Sequence, residues 1–233
     1  MTTFLQERRF FTAVLIISIW LSKSGTAWSV PSPDVIAQIG KRWDEITYHW
    51  PKEQRGAGLT ELLEDIQSLR QLNPQQPELL IWEAITLVTR AGADPGLGVL
   101  SDLERARKLL LQSIRIDPDA MDGAAYLTLA CLYYKAPGWP LSFGDMEKAA
   151  KYFQSALALN PNGIESNYYY ASFLSKSGDT RKALAFYQKT TSLPPNPEQP
   201  YLSLRLKEKA QEKLARLVAR SQFQLPFTHQ SPR

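Results

Sequence analysis

Residues 144–161, GDMEKAAKYFQSALALNP, and residues 178–195, GDTRKALAFYQKTTSLPP, are two copies of one pattern at a spacing of 34 residues, and residues 101–118, SDLERARKLLLQSIRIDP, are a third copy upstream. Each copy opens with a small residue and an aspartate, reaches an alanine at Ala106, Ala149 or Ala183, and meets a proline twelve residues later at Pro118, Pro161 or Pro195. Asp102, Asp145 and Asp179 are expected to cap helix N-termini, since a carboxylate there accepts a free backbone N–H and opposes the helix dipole. The alanines allow a neighbouring helix to approach. Leu110, Phe153 and Tyr187, four residues on, fall on the same face and fill the space beside it. Proline then ends each helix.

A partner helix precedes each copy, over 78–90, 123–134 and 164–177. The middle one carries Tyr126, Leu129, Ala130 and Tyr133; the first has Trp82 and Ile85, and the third keeps Tyr170, Ala171 and Leu174 but has Asn167 where an aromatic stands in the middle unit. Helix pairs with these residues at a 34-residue period resemble tetratricopeptide repeats. The resemblance implies an all-α superhelix whose first helices line a concave face. Residues 28–76 read as a degenerate first repeat, with helices at 33–50 and 59–72 before Pro74 and no alanine at the close approach. Residues 77–196 hold the repeats. After Pro194, Pro195, Pro197 and Pro200, residues 197–221 form a capping helix with an apolar stripe of Leu202, Leu206, Ala210, Leu214 and Leu217. Its Lys207, Lys209, Lys213, Arg216 and Arg220 read as a solvated face, the alternative being a site for anionic lipid. A disordered tail is expected over 222–233.

At the other end, Arg8 and Arg9 precede an apolar run over 10–21 and a small-residue stretch over 22–27, the pattern of a secretory signal. Cleavage is expected after Ala27, with Ser29 giving a second position. The run is short of the ~20 residues of a spanning helix, so a cleaved signal is favoured over an uncleaved anchor. Export to a bacterial periplasm is the expectation. Cys131 is the one cysteine in 233 residues, so no internal disulfide forms, and it is expected to be buried and inert. The net charge of +4 is spread among interleaved acids and bases and does not point to nucleic acid.

Chemistry for catalysis is missing from the sequence. There are two histidines, His49 near the degenerate first repeat and His229 in the tail, which leaves no metal cluster or histidine-based triad, and Gly92, Gly96 and Gly98 lack the strand, lysine and hydroxyl of a phosphate loop. A non-enzymatic scaffold without cofactor or metal is therefore expected. Its groove should show Glu83, Leu87 and Arg90 from one unit, Leu127, Cys131 and Tyr134 from the next, and Tyr168, Ser172 and Lys176 from the third. Between the helices of the middle unit lies an insertion over 135–145, KAPGWPLSFGD, whose Trp139 and Phe143 either pack on the scaffold or await a partner. Tyr134, Lys135, Trp139, Phe143, Tyr168 and Tyr169 are the candidate binding residues. Tyr168 is expected in the groove, Tyr169 against the Trp139 loop, and Tyr170 in the core.

The stretch 134–145, the following Lys148–Ala149, and Asn160–Pro161–Asn162–Gly163–Ile164 with Asn167–Tyr168–Tyr169–Tyr170–Ala171 together resemble the T component associated with TRAP transporters. That resemblance, over 79–195, implies a periplasmic solute-binding protein as partner, and a small apolar or organic-acid ligand in the helical cavity. A homo-oligomer is compatible with the sequence.

Overall fold

Alanine at the closest approach is what lets each helix pair form. Ala106, Ala149 and Ala183 have no exposed surface, and Leu110, Phe153 and Tyr187 one turn later are fully buried. A computed structural model describes residues 32–93, 96, 98–138 and 140–223, and so leaves the expected signal, its cleavage site, Trp139 and the tail from 224 onward outside the described residues. Among the described residues the elements are α1 (Pro33–Tyr48), α2 (Lys52–Leu72), α3 (Pro77–Ala93), α4 (Val99–Ile116), α5 (Ala120–Lys135), α6 (Met146–Leu159), α7 (Ile164–Lys176), α8 (Thr180–Ser192) and α9 (Pro200–Phe223). The fold is an all-α tetratricopeptide-like superhelix. Four antiparallel pairs are followed by the capping helix α9, which runs to Phe223.

The odd-numbered helices form the inner layer. They touch in the order α1, α3, α5, α7, α9, and α9 touches α1 again, so the inner layer closes into a ring. The even-numbered helices pack outside them. Two of the three expected caps are present: Asp145 accepts the amides of Glu147 and Lys148 at 3.0 Å, and Asp179 accepts that of Lys182 at 3.1 Å. Asp102 is not a cap. α4 starts at Val99, one turn earlier, with Gly98 at its N-cap, and Asp102 instead receives the Arg90 guanidinium at 2.7 Å.

The first pair packs without alanine because glycine takes its place. A Cβ on Gly58 of α2 would lie 2.7 Å from the Trp50 ring, and one on Gly40 of α1 would lie 2.8 Å from the ring of Trp82 in α3. α2 accordingly starts at Lys52, ahead of both Gly56 and Gly58, and these glycines lie inside the helix.

Closure of the ring rests on Asp44 in α1. Its side chain is 1% exposed and accepts the backbone N–H groups of Tyr201 at 2.8 Å and Leu202 at 2.7 Å, more than 150 residues away in sequence. Pro200 has no N–H, so these are the first amides of α9 that need an acceptor, and a side chain from the opposite end of the chain supplies it. Burial raises the Asp44 pKa, and the two amides pull against that rise. His49 stacks on Tyr201 at 5.1 Å beside the same joint. The stripe Leu202, Leu206, Ala210 and Leu217 is buried against the ring.

Asp44→Ala leaves buried amides without an acceptor and is expected to lower unfolding stability by about 1–3 kcal/mol in urea titration, with Asp44→Asn losing less. An unchanged midpoint for Asp44→Ala would contradict this account of the joint.

Candidate functional site

Because the inner helices close into a ring, the concave face becomes a cavity of about 540 Å³. Ile36 and Trp43 come from α1, Trp82, Ile85 and Val88 from α3, Leu127 and Cys131 from α5, Tyr169 from α7 and Leu202 from α9, and Ala136 and Pro137 place the foot of the inserted loop at its wall. Apolar side chains dominate. Trp43 is fixed there by its indole N–H, which donates to Thr89 Oγ1 at 3.0 Å, and its ring lies 5.9 Å from that of Trp82. The connection into α5 forms another part of the wall. Met121, Asp122 and Gly123 all have left-handed backbone, with φ of 50°, 52° and 77°, so the right-handed helix begins only after Gly123. Two consecutive non-glycine residues in that region carry strain, of order 1–3 kcal/mol each, which surrounding structure must offset.

The helix faces turned to the cavity differ from those expected. On α3, Glu83 and Leu87 are wholly buried away from it: Glu83 receives the guanidinium groups of Arg70 from α2 and Arg105 from α4, and so ties three helices together. Trp82, Ile85, Val88 and Thr89 face inward instead. On α7, Tyr168, Ser172 and Lys176 are not in the lining, and Glu165, Ser166 and Tyr169 are. The expected registers on these two helices are one residue out, a rotation of about 100°. On α5, Leu127 and Cys131 line the cavity as expected, together with Lys135, while Tyr134 does not.

The candidate residues therefore separate. Lys135 and Tyr169 stand together at the cavity, with the ammonium 5.1 Å from the ring centre. Tyr134 is held between α5 and α7, its hydroxyl donating to the Ser172 carbonyl at 3.1 Å and its ring edge-on to Phe153 and Phe173. Tyr168, expected in the groove, is buried against Tyr187 of α8, because that face of α7 meets its own repeat partner. Tyr170, expected in the core, is only partly buried, lying among Phe153, Phe173 and Phe186. Phe143 packs edge-on to Tyr133 at 5.5 Å beneath the Arg107 guanidinium and so anchors the loop on the outer side. Trp139 lies outside the described residues. Asn167, where an aromatic stands in the middle unit, uses its side-chain amide to tie down the turn before α7, donating to the carbonyls of Pro161 and Gly163.

On either side of Trp139 the inserted loop is held by its own hydrogen bonds. Gly144 donates to the Pro137 carbonyl at 2.8 Å, Leu141 to that of Gly138 at 3.1 Å, and Asp145 to that of Tyr133 at 2.9 Å. Any side chain at Gly144 would collide with backbone, since its Cβ would lie 2.1 Å from the Ala136 oxygen. Phe143 points inward. Leu141 is left 75% exposed and Met146 just beyond it 40% exposed.

Burial governs the titratable groups of the cavity. It pushes the Cys131 thiol up to about 11, only partly opposed by Lys135, and lifts the Tyr169 hydroxyl well above its ordinary value. Burial likewise raises Glu165. Sequence reasoning did not place Glu165, Trp43 or Leu202 in the lining. Glu165 lies four residues before Tyr169 and so shares its face, but a glutamate in the first turn also reads as a favourable dipole partner.

Residues 141–208 match the family model for the tetratricopeptide repeat. That span starts in the inserted loop, takes in α6, α7 and α8, and ends within α9, so this segment of the chain is of the tetratricopeptide-repeat type. No curated protein matches the chain. Repeats of this kind build interaction surfaces by stacking helix pairs.

With its thiol near 11, Cys131 holds on the order of a thousandth of its population as thiolate at pH 8, and alkylation by iodoacetamide is expected to run more than about a hundredfold slower than for an ordinary thiol. The rate should rise nearly tenfold per pH unit up to pH 9.5. Alkylation of the native protein at the speed of a free thiol would refute the half-buried placement of Cys131 in the cavity wall.

Proposed function

We propose that this protein is an exported, non-enzymatic scaffold that recruits a protein partner through the inserted loop, the partner being a solute-binding protein of a TRAP-type transport system. The observation that supports this reading most is the anchored loop. Its described backbone is held by its own hydrogen bonds and by Phe143, yet it presents Leu141 to solvent, with exposed Met146 beside it at the start of α6. A preordered apolar contact loses little conformational freedom on binding, which favours affinity. Export to the periplasm belongs to the same proposal and draws on the charged, apolar and small-residue order of residues 8–27.

The cavity supports a second reading, a carrier of a small apolar or organic-acid ligand. Its volume falls within the ~300–1,000 Å³ of small-molecule sites, and its lining is mostly apolar. Peripheral membrane binding through α9 has less support. The helix spends its apolar stripe on the ring, and Lys207 donates to the Leu193 carbonyl at 2.7 Å.

Leu141→Asp combined with Met146→Asp should leave helicity and melting unchanged by circular dichroism and remove recovery of a solute-binding protein in affinity capture from the host's envelope fraction. Undiminished recovery would rule out the loop as the docking element.

A further inference from the structure

The cavity holds an unpaired acceptor that its apolar walls do not explain. Glu165 lines it from the first turn of α7, and its Oε1 is buried with no hydrogen-bond partner. No cation pairs with it among the described residues. The charged group that acts on it is Asp44, of like sign, whose oxygens are already committed to the amides of α9. Buried polar atoms are nearly always paired, and an unpaired one costs free energy unless something else supplies the partner. Trp82, also in the lining, has an indole N–H that is buried and unpartnered, whereas Trp43 beside it has Thr89. The strained Met121 and Asp122 backbone stands in the same wall.

We propose that the cavity binds a small amphipathic molecule whose apolar body packs against Trp43, Trp82, Ile85 and Leu127 and whose buried head is a hydrogen-bond donor, an amine or hydroxyl, received by the Glu165 carboxyl. This rests on the second reading above and narrows it. A molecule entering carboxylate-first would set another negative group against Glu165 and Asp44 in a low-dielectric site. An acid is accommodated only with its carboxylate outward at Lys135, the cation of the lining. The orphan acceptor thus sets the chemistry of the inner end, and the apolar walls set that of the body.

The test uses three probes of equal chain length, octylamine, 1-octanol and octanoate, titrated into the full chain at pH 7.5 below their micellar concentrations by isothermal titration calorimetry, with stoichiometry from native mass spectrometry. Octylamine is expected to bind about tenfold or more tighter than octanoate, with 1-octanol between them. Glu165→Gln should erase the advantage of the amine and leave 1-octanol within about threefold, since the amide oxygen still accepts from a hydroxyl. Octanoate binding as tightly as octylamine, or an amine preference that survives Glu165→Gln, overturns the inference while leaving the cavity as a binding site. Failure of all three probes to bind the wild-type protein overturns the cavity reading itself, and the inference with it. The ranking in the wild-type protein is a sufficient test should Glu165→Gln fail to fold.

Discussion

The carboxyl group of Asp44, holding the first amides of α9, is the contact on which the shape of the molecule depends. Stacked helix pairs are open-ended by construction, because each pair buries its face against its neighbours alone and the last one leaves a face uncovered. Here the last element returns to the first. A buried carboxyl is costly by itself, and this one is placed where two backbone donors that also need a partner converge on it, so each penalty is partly offset in one joint. Ordinary caps come from a residue adjacent in sequence and stabilise one helix. This one comes from α1 and fixes α9 across the whole ring.

Closure has consequences for the interior. In an open superhelix the concave face is a surface, and its side chains are chosen for what they show to solvent. In a ring the same side chains face one another, so Trp43, Trp82, Leu127 and Leu202 border one half-open cavity. Charge is moved outward or paired. Glu83, although on an inner helix, is turned toward α2 and α4 and bracketed by Arg70 and Arg105. Glu165 is the exception, with one carboxyl oxygen buried and unpartnered, and for that reason the most informative residue in the cavity. The inserted loop shows the opposite arrangement: Phe143 is spent on anchoring, and Leu141 is held outside.

The helix pairs were legible in the sequence because they follow from local chemistry. Alanine at the close approach, a large apolar residue one turn later and a terminal proline repeat in sequence and act within a few residues of where they stand. Asp145 and Asp179 cap for the same local reason. Asp102 looks identical and does not, because the preceding connector lets α4 start a turn earlier and Arg90 then takes the carboxylate. Facing was less legible. A one-residue error rotates a helix by about 100°, enough to exchange Tyr168 for Tyr169 or Glu83 for Trp82 in the lining. The glycine contacts of α1 and α2 replace alanine with a residue that usually signals a break, which hid the start of α2. Closure was invisible, since nothing around Asp44 or Tyr201 marks them as partners. Of the candidate binding residues, Lys135 and Tyr169 meet at the cavity, Tyr134 and Tyr168 pack between helices, and Phe143 holds the loop.

Amide hydrogen exchange at Leu202 is the most direct measurement of whether α9 is locked to α1. If Asp44 closes the ring, the Leu202 N–H exchanges as slowly as amides in the middle of α7, through opening of the whole array. Exchange near the rate of an unstructured chain, as at a frayed terminal helix, would mean that the ring is open and that the concave face is a groove rather than a cavity.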